Sequence, residues 1–67
     1  MSPYYYSEDE FCYYICHTEV EGVKLPLQKV DKYDELSENA VKNVVRELNN
    51  TNSNLIYDYK EMLEDNL

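Results

Sequence analysis

The 67 residues carry six basic and fourteen acidic side chains, a net charge of −8, with eight tyrosines and a single glycine. A chain this short makes one domain that buries only about 60% of the surface it exposes when unfolded, which leaves little room for a substrate cavity. The charge disfavours direct binding of DNA or RNA, because affinity for phosphate comes from Lys and Arg, and no apolar run reaches the roughly 18 residues that span a bilayer.

Met1-Ser2-Pro3 has neither a positive charge nor an apolar signal core, so the expected compartment is a reducing cytoplasm in which Cys12 and Cys16 stay free thiols. Residues 1–10 hold Tyr4, Tyr5 and Tyr6 followed by Glu8, Asp9 and Glu10, and read as an acidic, aromatic arm. From Phe11 the pattern alternates. Phe11, Tyr13, Ile15 and His17 fall on one side of an extended chain; Cys12, Tyr14, Cys16, Thr18 and Val20 fall on the other. Glu21-Gly22 supplies the only glycine where a tight turn is needed, and Val23, Leu25 and Leu27 continue the alternation. A two-residue loop there pairs Val20 with Val23, Thr18 with Leu25 and Cys16 with Leu27, and sets Glu19 opposite Lys24. It also puts Pro26 at a non-hydrogen-bonded site, where no ladder bond is lost. The result is a β-hairpin over residues 11–30.

Ser37 is suited to a helix N-cap, with Glu38 in the first turn and a staple between Leu36 and Val41. Val41, Val44, Val45 and Leu48 form an apolar stripe, which predicts a helix over 37–50. The asparagines of "NNTNSN", residues 49–54, stop it. Ser53 then caps a second helix over 53–66, with Leu55, Ile56, Tyr59, Met62 and Leu63 inward. The expected fold is α+β: an N-terminal β-hairpin packed on two C-terminal helices, in the order ββαα.

Catalytic and metal chemistry find little footing. Cys12 and Cys16 on one strand sit about 13 Å apart, at ~3.3 Å per residue, too far to share a zinc ion or a disulfide. No further Cys/His pair completes a tetrahedral site. His17 points away from both cysteines if the segment is a strand, and reads as half-exposed. The carboxylates lie on wet surfaces without an apolar pocket to shift them. The expectation is a protein that is not an enzyme and needs no cofactor or metal.

What remains is interaction surface. If Cys12, Tyr14, Cys16 and Val20 face the helices, the opposite face exposes Phe11, Tyr13 and Ile15, with Tyr5 and Tyr6 just before them. Either that face is an interface, or the arm folds back over it and both faces are core. Asp58, Glu61, Glu64 and Asp65 follow helical spacing on the outer side of the last helix, where residues four apart lie about 6 Å apart along the axis, coarsely like the charges of a nucleic-acid backbone. Together with Glu8, Asp9 and Glu10 they suit a basic partner, above all a nucleic-acid-binding enzyme, because rings and carboxylates can imitate the stacked bases and phosphates its channel holds. A solvated acidic surface that only aids solubility is the plainer alternative. A homodimer joined through a self-complementary hairpin face is another.

The stretch "KYDELSENAVKNVVREL", residues 32–48, resembles a helix opening found in small acidic proteins of phages and mobile elements. Val41, Val44 and Val45 depart from the charged, alanine-rich continuation usual there. The resemblance implies a phage-like origin and no particular activity. Small acidic phage proteins often act as stoichiometric inhibitors of host restriction, repair or CRISPR nucleases, and an anti-CRISPR-like inhibitor in the host cytoplasm is the expectation.

Overall fold

The computed structural model describes residues 2–29 and 35–66. Three strands, β1 (Tyr4–Glu8), β2 (Cys12–His17) and β3 (Val20–Gln28), precede two helices, α1 (Glu35–Asn50) and α2 (Leu55–Asp65). The fold is α+β as expected, but the sheet is a three-stranded antiparallel meander in the order β1-β2-β3. The arm is its first strand. Ring-rich, β-favouring residues fill Tyr4–Tyr6, and each gains a partner on β2: Tyr4 with His17, Tyr5 with Cys16 and Tyr6 with Ile15.

Asp9 makes the first turn. Its Oδ1 accepts the backbone N–H groups of Phe11 and Cys12, both at 2.8 Å, and its own N–H donates to the Cys12 carbonyl at 2.9 Å. The second turn comes earlier than predicted. His17 pairs with Val20, leaving Thr18-Glu19 as the loop, and Glu21-Gly22 lies inside β3. Gly22 keeps its left-handed backbone (φ 80°), but it serves a register irregularity opposite the Ile15–His17 step rather than the turn. Leu25 and Leu27 therefore pair with Ile15 and Tyr13 instead of Thr18 and Cys16. Pro26 still occupies a non-hydrogen-bonded site, opposite Tyr14 rather than His17, and Lys24 is not the partner of Glu19.

An odd-numbered register shift moves a strand's side chains to the other face. Here it collects Tyr4, Tyr6, Tyr13, Ile15, Leu25 and Leu27 on one face, the richest in rings and branched chains, and the helices cover that one. Ile15 and Ile56 are fully buried, each worth about 1.5–3 kcal/mol of apolar burial. α1 lies over β1 and inserts Val41, flanked by Val45 and Leu48; α2 lies over β3 and β2 and inserts Ile56. The Cα envelope is a thin slab, 34 × 30 × 14 Å.

α1 starts two residues before the expected cap, and the side chains of Leu36 and Ser37 lie outside the described residues. Its end follows the asparagine signal. Asn52 takes a left-handed conformation (φ 55°), Ser53 N–H reaches back to the Leu48 carbonyl (3.0 Å), and Asn52 N–H to that of Asn49 (3.4 Å). At α2, Ser53 Oγ accepts the Leu55 N–H at 3.1 Å, while Asn54 holds the cap position without a side-chain bond.

Tyr4 ties these parts together. Thr18 N–H bonds to the Pro3 carbonyl (3.0 Å), which fixes the alternation of the β1–β2 ladder and turns the N–H and C=O of Tyr4 outward. The Asn49 carboxamide takes both, accepting at 2.8 Å and donating at 3.2 Å, so a side chain from α1 closes that part of the sheet edge. The Tyr4 hydroxyl donates to the Ser53 carbonyl (2.6 Å) and accepts from the Ile56 N–H (3.3 Å), satisfying both sides of the helix–helix turn.

Candidate functional site

The residues predicted to contact a partner divide into three groups. Tyr13 and Ile15 are core, at 7% and 0% exposure, and cannot anchor a partner; the register shift put them under the helices. Tyr6 is half-buried on the same face, edge-on to the Tyr13 ring at 5.9 Å, with its hydroxyl toward Glu38 at 3.4 Å. Tyr5 points to the open face and is 49% exposed.

The acidic arm is largely consumed by structure. Glu8 pairs with Lys29 Nζ at 2.9 Å, and the same ammonium donates to the Asp9 carbonyl at 2.7 Å and stands 4.8 Å above the Tyr13 ring. Asp9 accepts the Tyr14 hydroxyl on Oδ2 at 2.6 Å besides its two backbone bonds. These hydrogen bonds, Tyr14's first, hold its carboxyl below the usual range. In return the Tyr14 phenol is pushed up to about 12, chiefly by that bond and then by burial. Only Glu10 and Phe11 project from this turn. Phe11 is 70% exposed, yet its backbone is pinned on both sides, by Asp9 Oδ1 and by the Lys29 N–H at 3.0 Å.

Asp58, Glu61, Glu64 and Asp65 are exposed on α2 as expected. Glu64 lies 3.8 Å from Lys60; no ion pair among the described residues engages the other three. At 100° per residue, Asp58, Glu61, Met62 and Asp65 share the side of α2 opposite the buried Ile56. Met62, expected in the inward stripe, is 48% exposed at the edge of these carboxylates, where they meet the half-buried Leu55 and Tyr59. α2 begins at the Tyr4–His17 end of the sheet, whereas Glu8 and Glu10 lie at the Glu8–Tyr13 end. The two acidic patches are thus distinct.

Sequence reasoning missed the third constellation. His17, read as half-exposed, is buried at 6% exposure, because the rings of Tyr4 (4.7 Å) and Tyr57 (5.3 Å) pack edge-to-face on it. Its Nδ1 accepts the Glu19 N–H at 3.0 Å, so that nitrogen is occupied within the fold. Tyr57 donates its hydroxyl to Glu19 Oε2 at 2.8 Å, which raises the phenol's pKa. His17, Glu19, Asn52, Ser53, Asn54 and Tyr57 line a half-open, polar cleft of about 230 Å³, closed by Pro3. The lone histidine and the asparagine cluster were its only local signals.

Both cysteines are free. Cys16 is buried, though on the sheet face away from the helices, where its thiol lies 3.7 Å from the Tyr14 carbonyl and 3.8 Å from Ser7 Oγ. Among the described residues no cluster of His, Cys, Asp and Glu has metal-binding geometry, and no helix is long and apolar enough to cross a membrane. Compared with protein families, with curated proteins and with solved structures, the chain matches none.

Proposed function

We propose that this protein is a non-enzymatic inhibitor that docks the outer side of α2 on the basic, nucleic-acid-binding surface of a host enzyme. One observation carries the reading: Met62 stands nearly half exposed beside Asp58 and Asp65, at the border where the acidic side of α2 meets the stripe of Leu55 and Tyr59. An adaptable apolar side chain bordered by carboxylates supplies contact area and electrostatic steering together, as docking on a Lys/Arg-lined groove requires. The carboxylates recur at roughly one-turn spacing, compatible with a groove built for phosphates. Phe11, rigidly presented beside Glu10, is a second contact point at the far end of the molecule. A homodimer joined through Phe11, Tyr13 and Ile15 has no such face to use, since two of the three are core. Inhibition of this kind takes place in the host cytoplasm.

The test is affinity capture from a bacterial lysate, with the purified partner then assayed for nucleic-acid binding. The wild-type chain competes with nucleic acid for the partner, and added salt weakens the complex. Met62→Ala lowers affinity about tenfold or more. Asp58→Asn with Glu61→Gln and Asp65→Asn mainly slows association. A partner that binds nucleic acid and this protein simultaneously, or holds the triple variant as tightly in high salt, overturns the proposal.

A further inference from the structure

We infer that the cleft between the Thr18-Glu19 loop and the Asn52–Asn54 turn is a guanidinium site that receives an arginine side chain of the protein partner. The inference rests on the basic partner proposed above but uses a surface separate from the acidic side of α2.

The cleft's charge comes from Glu19. Its carboxylate is held in place by the Tyr57 hydroxyl on Oε2 (2.8 Å), and its backbone by the bond to His17 Nδ1 (3.0 Å), while Oε1 has no partner among the described residues. A carboxylate fixed through one oxygen with the other open is an acceptor prepared for a cation. Asn52 and Asn54 add carboxamide oxygens that have no partner among the described residues, and the Tyr57 ring forms a planar wall. His17 Nδ1 is already engaged by the Glu19 N–H, which leaves the Glu19 carboxylate as the charged group of the cleft.

An anion is poorly served here, although α2 begins at this cleft. Its first amides are already capped: Leu55 N–H by Ser53 Oγ and Ile56 N–H by the Tyr4 hydroxyl. The net charge of −8 repels anions as well. Among cations, guanidinium fits better than ammonium. It is flat, stacks on a ring, and spreads donors in one plane toward several acceptors, whereas ammonium acts as a compact point charge. A volume of about 230 Å³ accommodates such a head group but not a folded segment.

Amide and side-chain NMR of the ¹⁵N-labelled protein tests this with acetyl-Gly-Arg-Gly-amide, its lysine and citrulline counterparts, and free L-arginine. The arginine peptide gives saturable shifts at Glu19, Asn52, Asn54 and Tyr57. The lysine peptide binds at least about threefold more weakly, and neutral citrulline does not bind. Glu19→Gln weakens the arginine peptide about tenfold or more without changing the melting temperature by more than a few degrees. Tyr57→Phe, which keeps the ring and frees the carboxylate, weakens it by less. Equal responses to arginine and citrulline, or an unchanged affinity in Glu19→Gln, overturn the site. Free arginine binding tenfold tighter than the peptide overturns the assignment to a protein side chain. Shifts confined to Asp58, Glu61 and Asp65 would overturn the cleft while leaving the α2 surface standing.

Discussion

Replacing Tyr4 by phenylalanine removes one oxygen from the side chain that joins the sheet to the turn between the helices. The ring keeps its place in the core, 4.7 Å from His17, so no cavity forms. Two hydrogen bonds are lost, to the Ser53 carbonyl at 2.6 Å and from the Ile56 N–H at 3.3 Å. A net hydrogen bond contributes about 0.5–1.5 kcal/mol, and a group left buried without a partner costs about 1–3 kcal/mol. Ser53 borders the cleft and recovers water, whereas Ile56 is fully buried and its N–H does not. The long Ile56 bond belongs at the low end of its range, which brings the total to about 2 kcal/mol. For a domain of this size each kcal/mol moves Tm by roughly 4–8 °C, so the variant melts some 8–16 °C lower. That is a large share of the ~3–5 kcal/mol that a core this thin supplies. Urea unfolding followed by circular dichroism reads the change as a lower midpoint at unchanged m. Tyr5→Phe, on the open face, serves as the control and stays within about 0.5 kcal/mol. A loss below about 0.5 kcal/mol for Tyr4→Phe would show that this hydroxyl does not hold the helix turn to the sheet.

Three further outcomes are expected. Ile15→Ala costs about 2–5 kcal/mol in the same unfolding assay whereas Phe11→Ala stays within about 0.5, and the opposite order would restore the face first read from the sequence. Gly22→Val costs about 1–2 kcal/mol and Gly22→Asn clearly less: a Cβ there meets no atom within 4 Å, so the cost comes from the φ of 80° alone. Equal melting temperatures for the two variants would contradict this. The Asp9–Tyr14 pair shapes stability at both ends of the pH scale. Asp9's folded pKa lies below 3.8, so its contribution is complete above that value and disappears as pH falls through the folded one. Tyr14's lies above 10.0, at about 12, so its contribution is complete below 10 and disappears as pH rises toward 12. Tyr14→Phe shrinks both the alkaline loss, to which Tyr13, Lys29 and Tyr57 still contribute, and the acid one, and chemical denaturation across pH that leaves both unchanged would refute the pairing.

The helices and the break between them were legible because their signals are local. Val41, Val45 and Leu48 repeat at helical spacing, and Asn52 adopts the left-handed turn that asparagine tolerates. The sheet was legible as strands but not as faces. Both sides of "CYYICH" carry rings or thiols, so alternation cannot choose between them. The choice depends on where Gly22's unusual backbone is spent. A glycine marks a turn or a bulge equally well, and three residues of difference reverse the sheet. β1 was hidden by its neighbours: Glu8, Asp9 and Glu10 read as solvated charge, while Asp9 in fact builds the turn that brings the tyrosines back onto β2. Of the candidate surfaces, the α2 carboxylates followed from spacing alone. The cleft did not, because Glu19 and Tyr57 lie 38 residues apart and only the finished fold brings them into contact.

Distance along the chain also bears on how the fold comes into being. The two strand turns close over a few residues, and such local contacts form early and quickly. The bonds of Tyr4 reach 45 to 52 positions ahead, to Asn49, Ser53 and Ile56. While the chain is being synthesised, β1 has its neighbour strand long before it has α1 or α2, and its outward amides wait for a partner that is made near the end. A nascent chain halted before Asn49 carries an open, tyrosine-rich strand edge, the kind of edge that invites pairing with another chain. The completed chain answers that with one carboxamide from α1, so the last third of the sequence acts as the guardian of the first.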